Sequence, residues 1–170
     1  MPVKPVVGMN KKMKIQAVSE KYQEWIRSIL CERWGSPVMI SRGNIHNADQ
    51  LPGFIALDQE KLLGLITYSM KNNECEIVTL DSLESGKGIG YKLIKSVVDF
   101  ADSKNCKRVW LITTNDNTNA LRFYQKIGFH LVSVHKGVIE KSRILKPEIP
   151  EIGFDDIPIR DEIELEIRLN

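Results

Sequence analysis

The run Ser85-Gly86-Lys87-Gly88-Ile89-Gly90 has the residue types to hold a phosphate. Three alternating glycines let several backbone N–H groups converge on one point, and a helix that starts there adds partial positive charge. Lys87 adds a full one. A ligand carrying a pyrophosphate is therefore the first expectation. Two better-known phosphate loops fit poorly. A P-loop needs Gly-Lys followed by Ser or Thr, so that a hydroxyl reaches the metal; here Gly88 follows Gly86-Lys87. A dinucleotide fingerprint counted from Gly86 needs its last glycine where this chain has Tyr91. Taken alone, the loop could equally be a tight strand-to-helix turn.

The loop needs elements to aim it. A strand-like run, Glu74 to Leu80, leads in, and a helix-like run, Ile89 to Asp102, leads out. A second strand, Arg108 to Thr114, precedes a short helix with both ends marked. Asp116 or Asn117 can cap its start, and Gly128 stands where a left-handed terminal residue belongs. Ala120, Phe123, Tyr124 and Ile127 share one face at helical spacing.

Together the two segments resemble the GCN5-related N-acetyltransferase (GNAT) family. Its signature is a strand, then [Gln/Arg]-x-x-Gly-x-[Gly/Ala] opening a helix, then a strand, then Asn-x-x-Ala-x-x-x-Tyr-x-x-x-Gly-Phe. Gly88, Gly90, Asn117, Ala120, Tyr124, Gly128 and Phe129 match it in order and spacing, over residues 74 to 129. One departure stands out: the Gln or Arg position falls on Ser85, which offers only a hydroxyl.

The resemblance implies an α/β (α+β) fold: a mixed, mostly antiparallel sheet with helices on both faces. In it, Glu74–Leu80 and Arg108–Thr114 would be neighbouring parallel strands that splay into a cleft for a pantetheine arm. Acetyl-CoA would be the acetyl donor and an amine the acceptor, with no metal. Ser85, Gly86, Lys87, Gly88, Ile89 and Gly90 would hold the pyrophosphate, and Asn117 the arm. A main-chain N–H near Leu80 would face the thioester carbonyl. Tyr124 would sit by the sulfur as acid, and a phenol is protonated at neutral pH as that task requires. Glu74 or Glu76, on one face of their strand, would be the base; Glu74 matches the histone acetyltransferase branch best, and Asp81 is a third carboxylate. Two other readings compete: a non-catalytic acyl-CoA-binding module, and an unrelated nucleotide-binding α/β domain.

Composition fits an enzyme of one domain. The chain has 170 residues with 24 Lys and Arg against 22 Asp and Glu, a net charge of +2 without a basic block for nucleic acid. Cys31, Cys75 and Cys106 form no CxxC pair and read as free thiols. No run approaches the ~20 apolar residues that span a bilayer. A cytoplasmic protein with no membrane partner is expected, and a homodimer is compatible with the sequence. His46, His130 and His135 are too scattered for a metal site.

Residues 1–12 read as a flexible leader and residues 13–170 as one GNAT-like domain. Further elements are expected at Met13–Val18 (strand), Ser19–Trp34 (helix capped by Ser19), Val38–Ser41, Gly53–Leu57, Leu62–Met70 and Leu131–Val134 (strands), with a tight turn at Asn72-Asn73. Arg42–Pro52 reads as polar and irregular, with His46 facing the acceptor or solvent. Trp34 and Trp110 read as core. Ile163, Leu165, Ile167 and Leu169 alternate with Glu162, Glu164, Glu166 and Arg168, the pattern of a half-buried strand. The segments expected to shape the acceptor site are Trp34–Phe54 and Lys136–Asp161. The second holds a helix, Val138–Leu145, and four acidic residues, Glu148, Glu151, Asp155 and Asp156, which read either as an attraction for a cationic amine or as a solvated acidic loop.

Overall fold

The computed structural model describes residues 3–4 and 12–170. Its elements, in chain order, are β1 (Lys14–Ala17), α1 (Gln23–Trp34), β2 (Val38–Ser41), β3 (Asn44–Asn47), β4 (Gly53–Asp58), β5 (Lys61–Lys71), β6 (Glu74–Ser82), α2 (Ile89–Ser103), β7 (Arg108–Thr114), α3 (Thr118–Ile127), β8 (His130–His135), α4 (Val138–Leu145) and β9 (Glu162–Arg168). A seven-stranded sheet runs β1-β4-β5-β6-β7-β9-β8, and β2–β3 is a separate hairpin. Only β6 and β7 pair in parallel; the other ladders of the sheet are antiparallel.

Side-chain alternation gives the sheet two apolar faces. Ala56, Ile66, Cys75, Ile77, Val109 and Leu111 join one core with α2, whose Ile89, Leu93, Ile94, Val97 and Val98 recur at helical spacing. Ile55, Leu57 and Leu65, one residue out of step, join Ile26, Ile29 and Leu30 of α1 in the other. The sheet is therefore mixed, mostly antiparallel and covered by helices on both sides, as expected. No helix among the described residues is long and apolar enough to cross a membrane.

Several local expectations hold for local reasons. Asn72 and Asn73 both take positive φ (54° and 59°) in a two-residue hairpin loop, a conformation that asparagine tolerates. α4 has the expected bounds.

Other expectations are corrected. The helix predicted from Ser19 opens with a 3-10 turn, Glu20–Tyr22, and Ser19 makes no side-chain cap bond. Tyr22 (φ −103°, ψ 2°) stands between turn and helix, so α1 begins at Gln23. Residues 42–52 are not irregular: Arg42 and Gly43 both take positive φ and fold back β3 onto β2. The polar Asn44-Ile45-His46-Asn47 hides that strand. β9 is not half-buried. It lies between β7 and β8, and Glu162, Glu164 and Glu166 are only 1, 4 and 8% exposed. Trp34 is not core either, being 41% exposed, whereas Trp110 is buried. The expected leader falls mostly outside the described residues. Within it, Val3 is buried and its carbonyl accepts a hydrogen bond from Tyr91 Oη at 3.2 Å, while Lys4 N donates to Ile127 O.

The long connection between α4 and β9 is an ordered strap. Asn115 Oδ1 accepts from Arg160 N (2.9 Å) and Asp161 N (3.0 Å), and its Nδ2 donates to Pro158 O. Asp116 Oδ2 accepts from Phe154 N at 3.1 Å. A Cβ on Gly153 would run into that Asp116 carboxylate and into Ile159 Cδ1 at 2.9 Å. Gly153→Ala is therefore expected to cost ~1–3 kcal/mol, the range for forcing an atom into a packed site. Thermal or denaturant melts check this.

Candidate active site

β6 and β7 pair only from Glu74 to Ile77 against Arg108 to Leu111. Beyond those residues they part, which opens the cleft the resemblance implied. Register against β5 slips by one residue at Val78, because Tyr68 faces Ile77 while Thr67 faces Thr79. That bulge changes which way the following residues point. Leu83 N bonds Leu63 O, so by the two-residue period of an antiparallel ladder Asp81 and Thr79 also turn their backbone groups toward β5. Leu80 then turns its N–H and C=O the other way, into the cleft.

The glycine loop stands at the mouth of this opening. Gly86 (φ 74°) and Gly88 (φ 72°) are left-handed, and Gly88 is the residue that caps α2. Ser85, Gly86 and Lys87 are exposed. The Lys87 charge is shared: its ammonium pairs with Glu84, which also pairs with Lys61. Hydrogen bonds from Lys61 and then Lys87 hold the Glu84 carboxyl down to about 2.

α3 stands beside the cleft. Asn117 Oδ1 accepts from Ala120 N at 3.1 Å, so Asn117 is the cap, and Gly128 (φ 116°) ends the helix as expected. Tyr124 packs against Phe123 and Phe129, with ring centroids 5.4 and 5.6 Å apart. Burial, and then the nearby charge of Asp81, raise its phenol pKa well above the ordinary value.

The carboxylates separate into two groups. Glu74 and Glu76 lie where β6 is still paired with β7. Glu74 Oε2 is held by Arg108 Nη2 at 3.0 Å. Glu76 Oε2 is 3.3 Å from His46 Nε2, which reaches it from β3 rather than pointing to solvent. Asp81 lies past the split, 3% exposed, with both carboxylate oxygens facing Trp34 Nε1 at 3.0 and 3.2 Å. Burial pushes the Asp81 carboxyl up to about 6, and the Trp34 hydrogen bond and the Arg33 charge restrain the rise.

A family model, the acetyltransferase (GNAT) family, matches residues 19–129. The chain belongs to the GNAT acetyltransferase family. It is 42% identical over 146 residues to the uncharacterized protein YdhI of Bacillus subtilis (strain 168), covering 85% of this chain and 91% of that one. Among solved structures it resembles an IAA acetyltransferase from Bacillus cereus ATCC 14579 (TM-score 0.73, 25% identity, 92% of this chain and 99% of that chain). It also resembles a GNAT family acetyltransferase from Elizabethkingia anophelis with acetyl-CoA bound (TM-score 0.69, 20% identity, 94% of this chain and 100% of that chain).

Beside the cleft, this GNAT domain carries a charged network that its sequence did not announce. Arg108 Nη1 donates to Glu164 Oε2 and Glu166 Oε2, both at 2.9 Å. Glu164 Oε1 also faces Arg42 Nη1 (3.3 Å) and His135 Nε2 (3.2 Å). Arg42 N donates to Glu162 Oε2 at 3.0 Å. The Arg42 and Arg108 guanidiniums each lie over the Trp110 ring, 5.2 and 5.1 Å from its centroid. Burial opposes the Arg108 charge, but the hydrogen bonds of Glu74, Glu164 and Glu166 outweigh it and raise its pKa. A shallow hollow of about 360 Å³ lined by Lys136, Gly137, Arg143 and Arg160 holds none of these candidate residues. The acidic side chains of the strap, Glu148, Glu151, Asp155 and Asp156, are exposed.

Proposed function

We propose that this protein transfers an acetyl group from acetyl-CoA to a primary amine of a small molecule or protein, by direct attack in a ternary complex. The observation that carries this reading is the parting of β6 from β7 after Ile77 and Leu111, with Leu80 left facing the gap. Free backbone donors and acceptors in a cleft need partners. The two amides and the thioester carbonyl of acetyl-pantetheine supply them. The likeness to an acetyl-CoA-bound GNAT structure supports the same ligand.

In this reading the glycine loop and the start of α2 hold the pyrophosphate, and Asn117 lies beside the arm. Leu80 N–H stabilises the oxygen of the tetrahedral intermediate. A neutral amine attacks, its excess proton passes to a carboxylate on β6, and Tyr124 protonates the departing thiolate. Glu74 and Glu76 are the base candidates by resemblance.

Calorimetric titration with acetyl-CoA, CoA, ATP and NAD tests the binding half. Binding of the two CoA species alone supports it; preference for ATP or NAD overturns it. Acetyl-CoA binding without transfer to any amine of a broad panel would leave a non-catalytic acyl-CoA-binding module. The loop has its own test. Ser85 is exposed and stands where the family pattern has Gln or Arg. Ser85→Arg is expected to tighten CoA binding by roughly 3- to 10-fold, the worth of one added charge-assisted contact at an exposed site. Unchanged CoA affinity would argue against a pyrophosphate at this loop.

A further inference from the structure

We propose that Asp81 takes the proton from the acceptor nitrogen, and that Trp34 is the positioning residue that holds its carboxylate for that step; the inference rests on the acetyl-transfer reading above.

Chain position gives the first reason. Asp81 directly follows Leu80, whose backbone faces the cleft, so whatever Leu80 N–H contacts lies one residue from the Asp81 side chain. The bulge at Val78 gives the second. Ile77 packs in the core under α2, and strict alternation would send residue 81 to that face as well. The extra residue reverses the alternation. Asp81 instead pairs with Leu65, a residue of the α1-side core, and so meets Trp34 at the end of α1. Leu80 turns to the other face and packs with the α2 core. The bulge thus places a carboxylate on one side of the strand and leaves α3, with Tyr124, on the other.

The hydrogen bonding of Asp81 suits a base. An ionised carboxylate has about four acceptor sites, and Trp34 supplies one N–H shared between its two oxygens. Among the described residues no ammonium or guanidinium lies within ion-pair distance of it. Arg33 acts from α1 at longer range, Tyr124 is the α3 group that the Asp81 charge reaches, and β5 presents the apolar Leu65. Glu74 and Glu76 differ: one is held by Arg108 and the other faces His46. Burial leaves the Asp81 carboxyl titrating about 6, ionised at neutral pH yet more basic than an exposed carboxylate. Its charge raises the Tyr124 phenol further. One environment therefore separates an acid from a base.

The step balances. The amine nitrogen forms a bond to the acetyl carbonyl carbon, and an N–H proton moves to Asp81. The C–S bond breaks as the thiolate takes the Tyr124 proton. Asp81 then gives its proton to solvent and the tyrosinate takes one back from it, and the products are the amide and CoA-SH.

The experiment follows acetyl transfer to spermidine, and hydrolysis of acetyl-CoA without an acceptor, as pH–rate profiles. Wild type should show an acidic limb near pH 6. Asp81→Asn should lose ~100-fold or more in kcat with that limb gone, while acetyl-CoA Kd stays within about threefold. Trp34→Phe removes a donor that favours the charged form, so its limb should move to higher pH. Independently of any acceptor, the Trp34 indole N–H resonance should titrate with a midpoint near that limb in wild type and stay flat in Asp81→Asn. An Asp81→Asn enzyme with wild-type rate and limb overturns the proposal. So does a larger loss in Glu74→Gln or Glu76→Gln, or a Trp34 resonance indifferent to pH. Wild type that turns over neither probe and no amine of the panel removes the acetyl-transfer reading itself, and the proposal with it.

Discussion

Tyr124→Phe should still bind acetyl-CoA within about threefold of wild type but turn over ~10²- to 10⁴-fold more slowly, the usual worth of a positioned proton donor. The ring is a packing element, tilted against Phe123 and edge-on to Phe129, and phenylalanine keeps those contacts. The fold and the cofactor site therefore survive the substitution, and the loss falls on kcat. The raised phenol pKa adds a pH signature. Burial and the Asp81 charge keep Tyr124 protonated well into the alkaline range. The wild-type rate should thus show no alkaline limb from this residue below about pH 10, the ordinary tyrosine value. Steady-state kinetics beside calorimetry separates the two effects. Equal turnover in mutant and wild type would mean that the thiolate departs without this acid.

Legibility in the sequence followed the range of the interactions. Asn117, Gly128 and the Asn72-Asn73 turn were readable because a cap, a left-handed terminus and a two-residue loop are local chemistry. The cleft was readable only through the family resemblance, since nothing within Glu74–Leu80 says that a neighbouring strand will leave it. The β2–β3 hairpin was missed because Asn44-Ile45-His46-Asn47 has the polarity of a loop. The Trp34–Asp81 contact spans 47 residues and depends on the Val78 bulge, which no local signal marks. Alternation on β9 correctly gave a strand but misassigned its second face. Glutamates at every other position read as solvent-facing, until β9 inserts beside β7 and brings Arg108 to Glu164 and Glu166.

That second face leads to the largest stability effect. Arg108→Met should destabilise the protein by ~3–5 kcal/mol, because removing one partner of a buried ion pair leaves uncompensated charge behind. Its side chain is 11% exposed and serves Glu74, Glu164 and Glu166 together. Arg42 and His135 still face Glu164 after the change, and Arg168 still faces Glu166, so the loss is partial. For a domain of this size the cost corresponds to a fall in Tm of roughly 10 °C. The sign of the pH dependence is fixed by the carboxylates. In wild type, burial works to raise the Glu166 carboxyl, but its bonds to Arg108 and Arg168 win and lower it. Its contribution is therefore present above the ordinary carboxylate range and lost as pH falls through the depressed value. In Arg108→Met the same burial acts on Glu166 with less opposition, so its carboxyl rises and the variant gains stability as it protonates. The gap between the two melting curves should be full above the carboxylate range and close as pH falls through it. Arg108→Met combined with Glu166→Gln should recover part of the loss, because the second change removes one of the stranded charges. A Tm shift under about 2 °C that does not vary with pH would show that Glu164 and Glu166 are held by their other partners. The face of the sheet under the β2–β3 hairpin would then owe its order to packing of Trp110 rather than to charge.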